Sequence, residues 1–193
     1  MTRRLSSAFF SLTIILAPLA SAAKNYETYY NWHLKALDGD LADIDAQIVQ
    51  FTERLHADPN DHLARAYLGS SYALRAREST WPPTRLKYLK LGRKTIDQAV
   101  AAAPANPRIR LIRAIAYYRV PLRFKVRHTS LNDFEILIPI AQAPDSPLDL
   151  NERQALLYYA FLAHQEANLP TAAALKNACH RLDPSSTLGK ATR

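Results

Sequence analysis

Arg110, Arg113 and Tyr117 carry the most concrete chemistry in this chain of 193 residues. Their i, i+3, i+7 spacing sets them on one face of a helix. Guanidinium groups in such an array have two uses. They can pair with carboxylates of neighbouring helices, Asp97 before them and Asp133 or Glu135 after, because unpaired buried charge is very costly. Alternatively they can clamp a ligand carboxylate or phosphate through bidentate hydrogen bonds. Structural pairing is the expectation here.

A second constellation is a basic stretch, Arg85, Lys87, Lys90, Arg93 and Lys94, continued by Arg119, Arg123, Lys125 and Arg127. Lys87, Lys90 and Lys94 fall on one helical face. Charge runs commonly do no more than solvate an outer face. Used functionally, this one would be a footprint for an acidic protein, an anionic lipid or a cell-wall polymer, and its binding would weaken with salt. Just before this stretch stands Trp81-Pro82-Pro83. Tryptophan dominates interface hot spots, yet it is highly buried on average, so packing over its own hairpin is the expectation. Trp81, Lys87, Lys90, Arg93, Lys94, Arg110, Arg113 and Tyr117 are therefore the candidate partner-binding residues.

Other chemistry is poorly supported. Cys179-His180 and His164 lack the ligand spacings of zinc sites, and adjacent helical residues point about 100° apart. No nucleophile–base pattern and no phosphate-binding glycine loop is present. No metal, cofactor or catalytic residue is expected; a hydrolase or modifying activity hidden between Leu122 and Thr129 is the remaining enzymatic option. The aromatic group Tyr26, Tyr29, Tyr30, Trp32 and His33 could serve as a glycan platform, but covering exposed core at the start of an array is the simpler role.

The N-terminus bounds the compartment. Arg3 and Arg4 precede an apolar run from Ala8 to Ala20, and Ala20-Ser21-Ala22 fits a small-x-small processing site, with cleavage near Ala22 or Ala23. The run is short for a membrane span, which needs about 20 apolar residues. Residues 1–23 thus read as a Sec signal peptide, and setting aside its two arginines lowers the net charge from +8 to +6. A single cysteine excludes a disulfide scaffold, and the chain has no Asn-x-Ser/Thr sequon. The expected compartment is a bacterial periplasm or cell envelope, where nucleic acid is not an expected partner.

The elements that must position these residues are all helical, because apolar residues recur at three and four rather than at two. One stripe is Tyr26, Tyr30, Leu34 and Leu37. Asp40 opens a second helix, with Asp43 placed as the acid of a capping box, and it ends at Asp58-Pro59. A third starts near Asn60 or Asp61 and runs to about Arg77. Its return helix spans about Pro83 to Ala103. Asn106-Pro107 supplies an N-cap and a first-turn proline for a helix that stops at Pro121. Ser130-x-x-Asp133 predicts another capped helix, which Pro139 should kink or shorten. Asp149-x-x-Glu152 opens a long helix, and the last one closes at Asp183-Pro184.

Gly69 and Gly92 fall inside two of these helices, where glycine costs about 1 kcal/mol relative to alanine; close helix–helix contact is the natural reason. Leu68-Gly69-x-x-Tyr72, then Gly92, Ile96, Ala99 and Pro104, and later Asn168-Leu169-x-x-Ala172 with Cys179 and Asp183-Pro184, resemble the tetratricopeptide repeat, a helical hairpin ending in proline. The resemblance spans roughly residues 25 to 184. Pro104, Pro144 and Pro184 are 40 apart and Pro59 precedes Pro104 by 45, all longer than the usual period of about 34. In the second unit the excess falls between Gly69 and Gly92, in a turn around Glu78 to Arg85. The third unit departs most, with Arg110 and Arg113 at positions the family fills with apolar or aromatic residues. The resemblance implies an α-solenoid of about four hairpins, seven to eight helices, over residues 24–185, followed by a disordered tail at 186–193. It also implies a non-enzymatic scaffold whose concave face takes a peptide or protein partner, such as an accessory of envelope transport or assembly. Binding of an anionic polymer or lipid through the basic face is the alternative.

Overall fold

A computed structural model describes the backbone of residues 17–193 and the side chains from residue 25 onward. The expected leader at 1–23 lies outside the residues whose side chains are described. The described chain is all-helical. Its α-helices are α1 (Ala17–Asp38), α2 (Leu41–Ala57), α3 (His62–Glu78), α4 (Pro82–Ala102), α5 (Pro107–Arg119), α6 (Arg127–Gln142), α7 (Leu150–Glu166), α8 (Ala172–Leu182) and α9 (Thr187–Ala191), with a 3₁₀ turn at Leu122–Phe124. No helix among the described residues is long and apolar enough to cross a membrane.

Local chemistry sets most helix ends. Asp40 accepts from the backbone N–H of Ala42 and Asp43, Asp61 from Ala64, and Asn106 from Arg108 and Ile109, each satisfying amides that have no intrahelical partner. Asp149 and Glu152 form the full reciprocal capping box. Ser130 is not a cap. α6 already begins at Arg127, and the Ser130 hydroxyl donates to the Ala114 carbonyl at 2.7 Å, tying α6 to α5. α6 also runs on past Pro139 to Gln142.

Consecutive helices pack as hairpins, α3 with α4, α5 with α6 and α7 with α8, and α1, α3, α5 and α7 also contact one another in series. The odd helices thus form one layer and the even helices the other. The α3–α4 contact is the most extensive in the molecule, and glycine explains it. A Cβ on Gly69 would lie 2.9 Å from the Gly92 carbonyl oxygen and collide with Ile96, while one on Gly92 would lie 2.8 Å from the Gly69 carbonyl oxygen. The backbones therefore touch where the sequence placed its two helical glycines. The extra residues between them do not make a loop. Only Ser79–Trp81 separate α3 from α4, so the surplus lengthens the helices themselves.

Between the layers lie the apolar clusters. Ile96, Ala99, Ile109 and Tyr117 hold α4 to α5; Phe134, Leu137, Leu156, Ala160, Leu175 and Cys179 hold α6, α7 and α8. Tyr29, Phe51 and Tyr67 form the N-terminal cluster, with Trp32 against it. Phe51 stacks on Tyr67 at 5.6 Å between centroids, and Tyr29 meets Phe51 edge-on at 5.4 Å. Tyr29 and Trp32 of α1 accordingly cover core. The C-terminal segment expected to be a disordered tail is instead folded. Ser186 caps α9, His180 hydrogen-bonds the Gly189 carbonyl at 2.8 Å, and the buried Gln154 amide donates to the carbonyl of Asp183 while accepting from Ser186. This small helix shields Cys179 at the end of the array.

Candidate functional site: a cleft between the odd-numbered helices

One face of each odd helix borders a common cleft of about 650 Å³. The lining positions follow helical periodicity: Tyr30, His33, Leu34 and Leu37 on α1, Tyr67, Ser70, Leu74 and Arg77 on α3, Arg108, Ile112, Ile115 and Arg119 on α5, and Glu152, Ala155 and Tyr159 on α7. Arg85 and Leu89 of α4 and Arg123 and Phe124 of the 3₁₀ turn complete the wall. The lining is mostly aliphatic and aromatic, with charge confined to the ends.

At the end made by the N-termini of α3, α5 and α7, the charges are paired. Arg108 donates from Nε to Glu152 Oε1 at 2.8 Å and Oε2 at 3.1 Å, and from Nη2 to the Pro147 carbonyl at 2.7 Å. Its guanidinium lies 4.2 Å from the Tyr26 ring centroid, and the Tyr26 hydroxyl donates to Asp149 at 2.8 Å. Tyr29 and Arg54 close a similar set on Asp61, at 2.6 and 2.8 Å. α1 is thereby latched onto the starts of α3, α5 and α7. Burial pushes the Glu152 carboxyl up, against the lowering effect of the Asp149 amide and Arg108. Burial also raises the phenols of Tyr26, Tyr29 and Tyr67, so all three stay protonated donors.

The opposite end, formed by the C-termini of α3 and α5, is different. Arg77 pairs with its neighbour Glu78 at 2.6 Å. Arg85 donates to the Ser79 carbonyl at 3.0 Å, Arg119 to the Tyr159 hydroxyl, and Arg123 lies 5.1 Å from the Phe124 ring centroid. Among the described residues no carboxylate pairs with Arg85, Arg119 or Arg123.

His33 sits midway along the cleft. Ser71 Oγ donates to Gln47 Oε1 at 2.8 Å, which turns the Gln47 amide nitrogen to His33 Nδ1 at 3.4 Å. His33 Nε2 lies 3.5 Å from Ser70 Oγ. Burial, with a smaller contribution from the nearby Arg119 charge, pushes His33 down to about 4, so it is neutral near pH 7. A serine and histidine this close invite comparison with a hydrolytic pair. At 3.5 Å the contact stands at the outer limit of a hydrogen bond. Ser70 also lies mid-helix, where backbone amides are spent on i−4 carbonyls and none is free to stabilise an oxyanion.

The sequence-derived candidates fall elsewhere. Arg110 and Arg113 both bind Asp133, at 2.8 and 2.7 Å, and Arg113 also reaches Asp97 at 3.2 Å. Asp133 is 1% exposed, so this is the interhelical pairing expected of them, on the face of α5 turned away from the cleft. Tyr117 is buried beside it and donates to the Arg93 carbonyl at 3.4 Å. Arg93 is half-buried rather than part of an open basic face. Lys87, Lys90 and Lys94 border a shallow outer depression with Pro83, Leu86 and Leu91. Trp81 does not pack over its hairpin: it is 67% exposed at the start of α4, directly before the two prolines of its first turn. Among the described residues no group of His, Cys, Asp and Glu could hold a metal ion, and burial raises the Cys179 thiol.

The sequence of α5 marks only one wall of this cleft. Arg108, Ile112, Ile115 and Arg119 repeat at four, three and four, so α5 bears arginines on both faces. No protein-family model, curated protein or solved structure matches the chain.

Proposed function

We propose that this chain is an exported, non-enzymatic binding scaffold, a TPR-like α-solenoid that holds a partner in the cleft lined by its odd-numbered helices. The observation carrying this reading is the cleft: four helices each contribute an apolar face to one concavity, and unpaired arginines stand at its open end. Concave surfaces of stacked hairpins bind a segment of a partner without chemistry. Export is supported by the basic, apolar and small-residue order of the first 23 residues, and places the partner in a bacterial envelope. The mid-helix position of Ser70, with its neighbouring backbone amides spent on the helix, supports a binding role over hydrolysis.

The test is to crosslink the full-length chain in the envelope of a bacterial host, at low and high salt, beside an Ala155→Trp variant that fills the cleft. A dominant, salt-resistant adduct that disappears in Ala155→Trp is the expected result. Diffuse, salt-labile retention that Ala155→Trp leaves intact would remove the cleft as the working part and favour the lysine face of α4 on an anionic polymer or lipid.

A further inference from the structure

Resting on the reading of the cleft as the binding site, we propose that its ligand is a single-chain anionic amphiphile, the alkyl chain lying along the cleft and the head group held by Arg85, Arg119 and Arg123. Three features of the site point to this class. First, the cleft volume of about 650 Å³ falls in the roughly 300–1,000 Å³ range of small-molecule sites. Second, the walls between its ends are apolar, with Leu34, Leu37, Leu89, Ile112 and Ile115 prominent. An extended peptide brings an amide and a carbonyl with every residue, and each needs a partner when buried. Few polar groups stand on these walls, and two of them already face neighbours within the protein: Ser70 lies against His33, and the Tyr159 hydroxyl accepts from Arg119. A methylene chain makes no such demand.

Third, the charge along the cleft has a direction. At the latched end Glu152 and Asp149 meet Arg108 and Tyr26 and are satisfied. At the open end Arg85, Arg119 and Arg123 meet only carbonyl, hydroxyl and aromatic groups. Guanidinium forks favour carboxylate and phosphate oxygens, so an anionic head is directed to the open end and the chain inward. The basic lysines of α4 border a different, shallow surface and serve as the internal control.

The experiment titrates the full-length chain with decanoate, dodecanoate and tetradecanoate below their micelle concentrations, with dodecyl phosphate, and with dodecanol and dodecyltrimethylammonium as neutral and cationic counterparts. Expected is one saturable site whose affinity rises about fourfold per added methylene, with dodecanoate and dodecyl phosphate at least tenfold tighter than dodecanol or the cation. The R85Q/R119Q/R123Q triple variant is expected to bind dodecanoate no better than dodecanol, whereas K87Q/K90Q/K94Q, which removes the same charge, is expected to bind it like the parent. Absence of saturable binding, equal affinity for dodecanoate and dodecanol, or equal losses in both triple variants would overturn the proposal. So would stronger competition by phosphatidylglycerol vesicles than by monomeric dodecanoate, since that would assign the charge to a surface. The titration of the unaltered chain decides the matter even if a triple variant melts early. Loss of an envelope adduct in Ala155→Trp, together with no amphiphile binding, would leave the cleft reading standing and sink this ligand class alone.

Discussion

At position 69, helix propensity and packing pull in opposite directions. Alanine is favoured over glycine by about 1 kcal/mol within a helix, but its methyl group would press on the Gly92 carbonyl and on Ile96. Overpacking of this sort costs about 1–3 kcal/mol, and the obstruction is partly backbone, which cannot rotate aside. Gly69→Ala is therefore expected to lower stability by up to about 2 kcal/mol in urea unfolding; a stabilised variant would mean that the α3–α4 contact is looser than described. His33 makes a prediction in pH. Its folded value of about 4 lies below the ordinary 6.5, so between these the unfolded chain binds the proton and the folded chain does not. Stability is then fully present above about pH 6.5 and declines as pH falls toward 4, by on the order of 2–3 kcal/mol. Glu152, raised by burial, acts in the opposite sense, holding its proton in the fold as pH rises above the ordinary carboxylate value. His33→Gln should flatten the decline between pH 6.5 and 4, read as the difference in urea midpoints against the parent; an unchanged slope would place the imidazole in solvent.

Among the elements, α5 is the one most dependent on charge. Its far face is fastened to α4 and α6 by Arg110, Arg113, Asp97 and Asp133, and its near face to α1 and α7 by Arg108. Removing one member of a buried pair leaves the other uncompensated, typically at 3–5 kcal/mol. Asp133→Asn removes the carboxylate shared by two arginines, leaving Arg110 without an acidic partner and Arg113 only Asp97, and is expected to cost about 3 kcal/mol, visible as an early thermal transition. Arg113→Ala gives the complementary check: it should destabilise the fold and leave the partner's affinity alone. Full stability with lost binding would return Arg113 to the role of ligand clamp.

Helices and their ends were legible because their signals are local. The caps at Asp40, Asp61, Asn106 and Asp149, the paired glycines, and the pairing of Arg110 and Arg113 with Asp133 all follow from spacing and from the cost of unpaired charge. Failures came where tertiary contact decided the outcome. Ser130 has the spacing of a cap yet bonds across to Ala114. Residues 186–193 are short and polar, but Gln154 and His180 supply partners that fold them. Trp81 is of a type highly buried on average, yet it stands 67% exposed at the start of α4. The cleft needed four helices at once, so no single stripe announced it.

For the whole molecule the central claim is that function resides in the concavity between the odd-numbered helices, rather than on the basic outer face of α4. The most direct measurement replaces Leu34, exposed on the cleft wall, with a photo-crosslinking phenylalanine derivative, and places the same residue at Lys90 outside it. The full-length chain is irradiated in the envelope and its adducts are weighed by mass spectrometry. A discrete adduct from position 34 and none from position 90 is the expected result, whether the added mass is a peptide or an amphiphile. Adducts from position 90 alone, disappearing in high salt, would contradict the account.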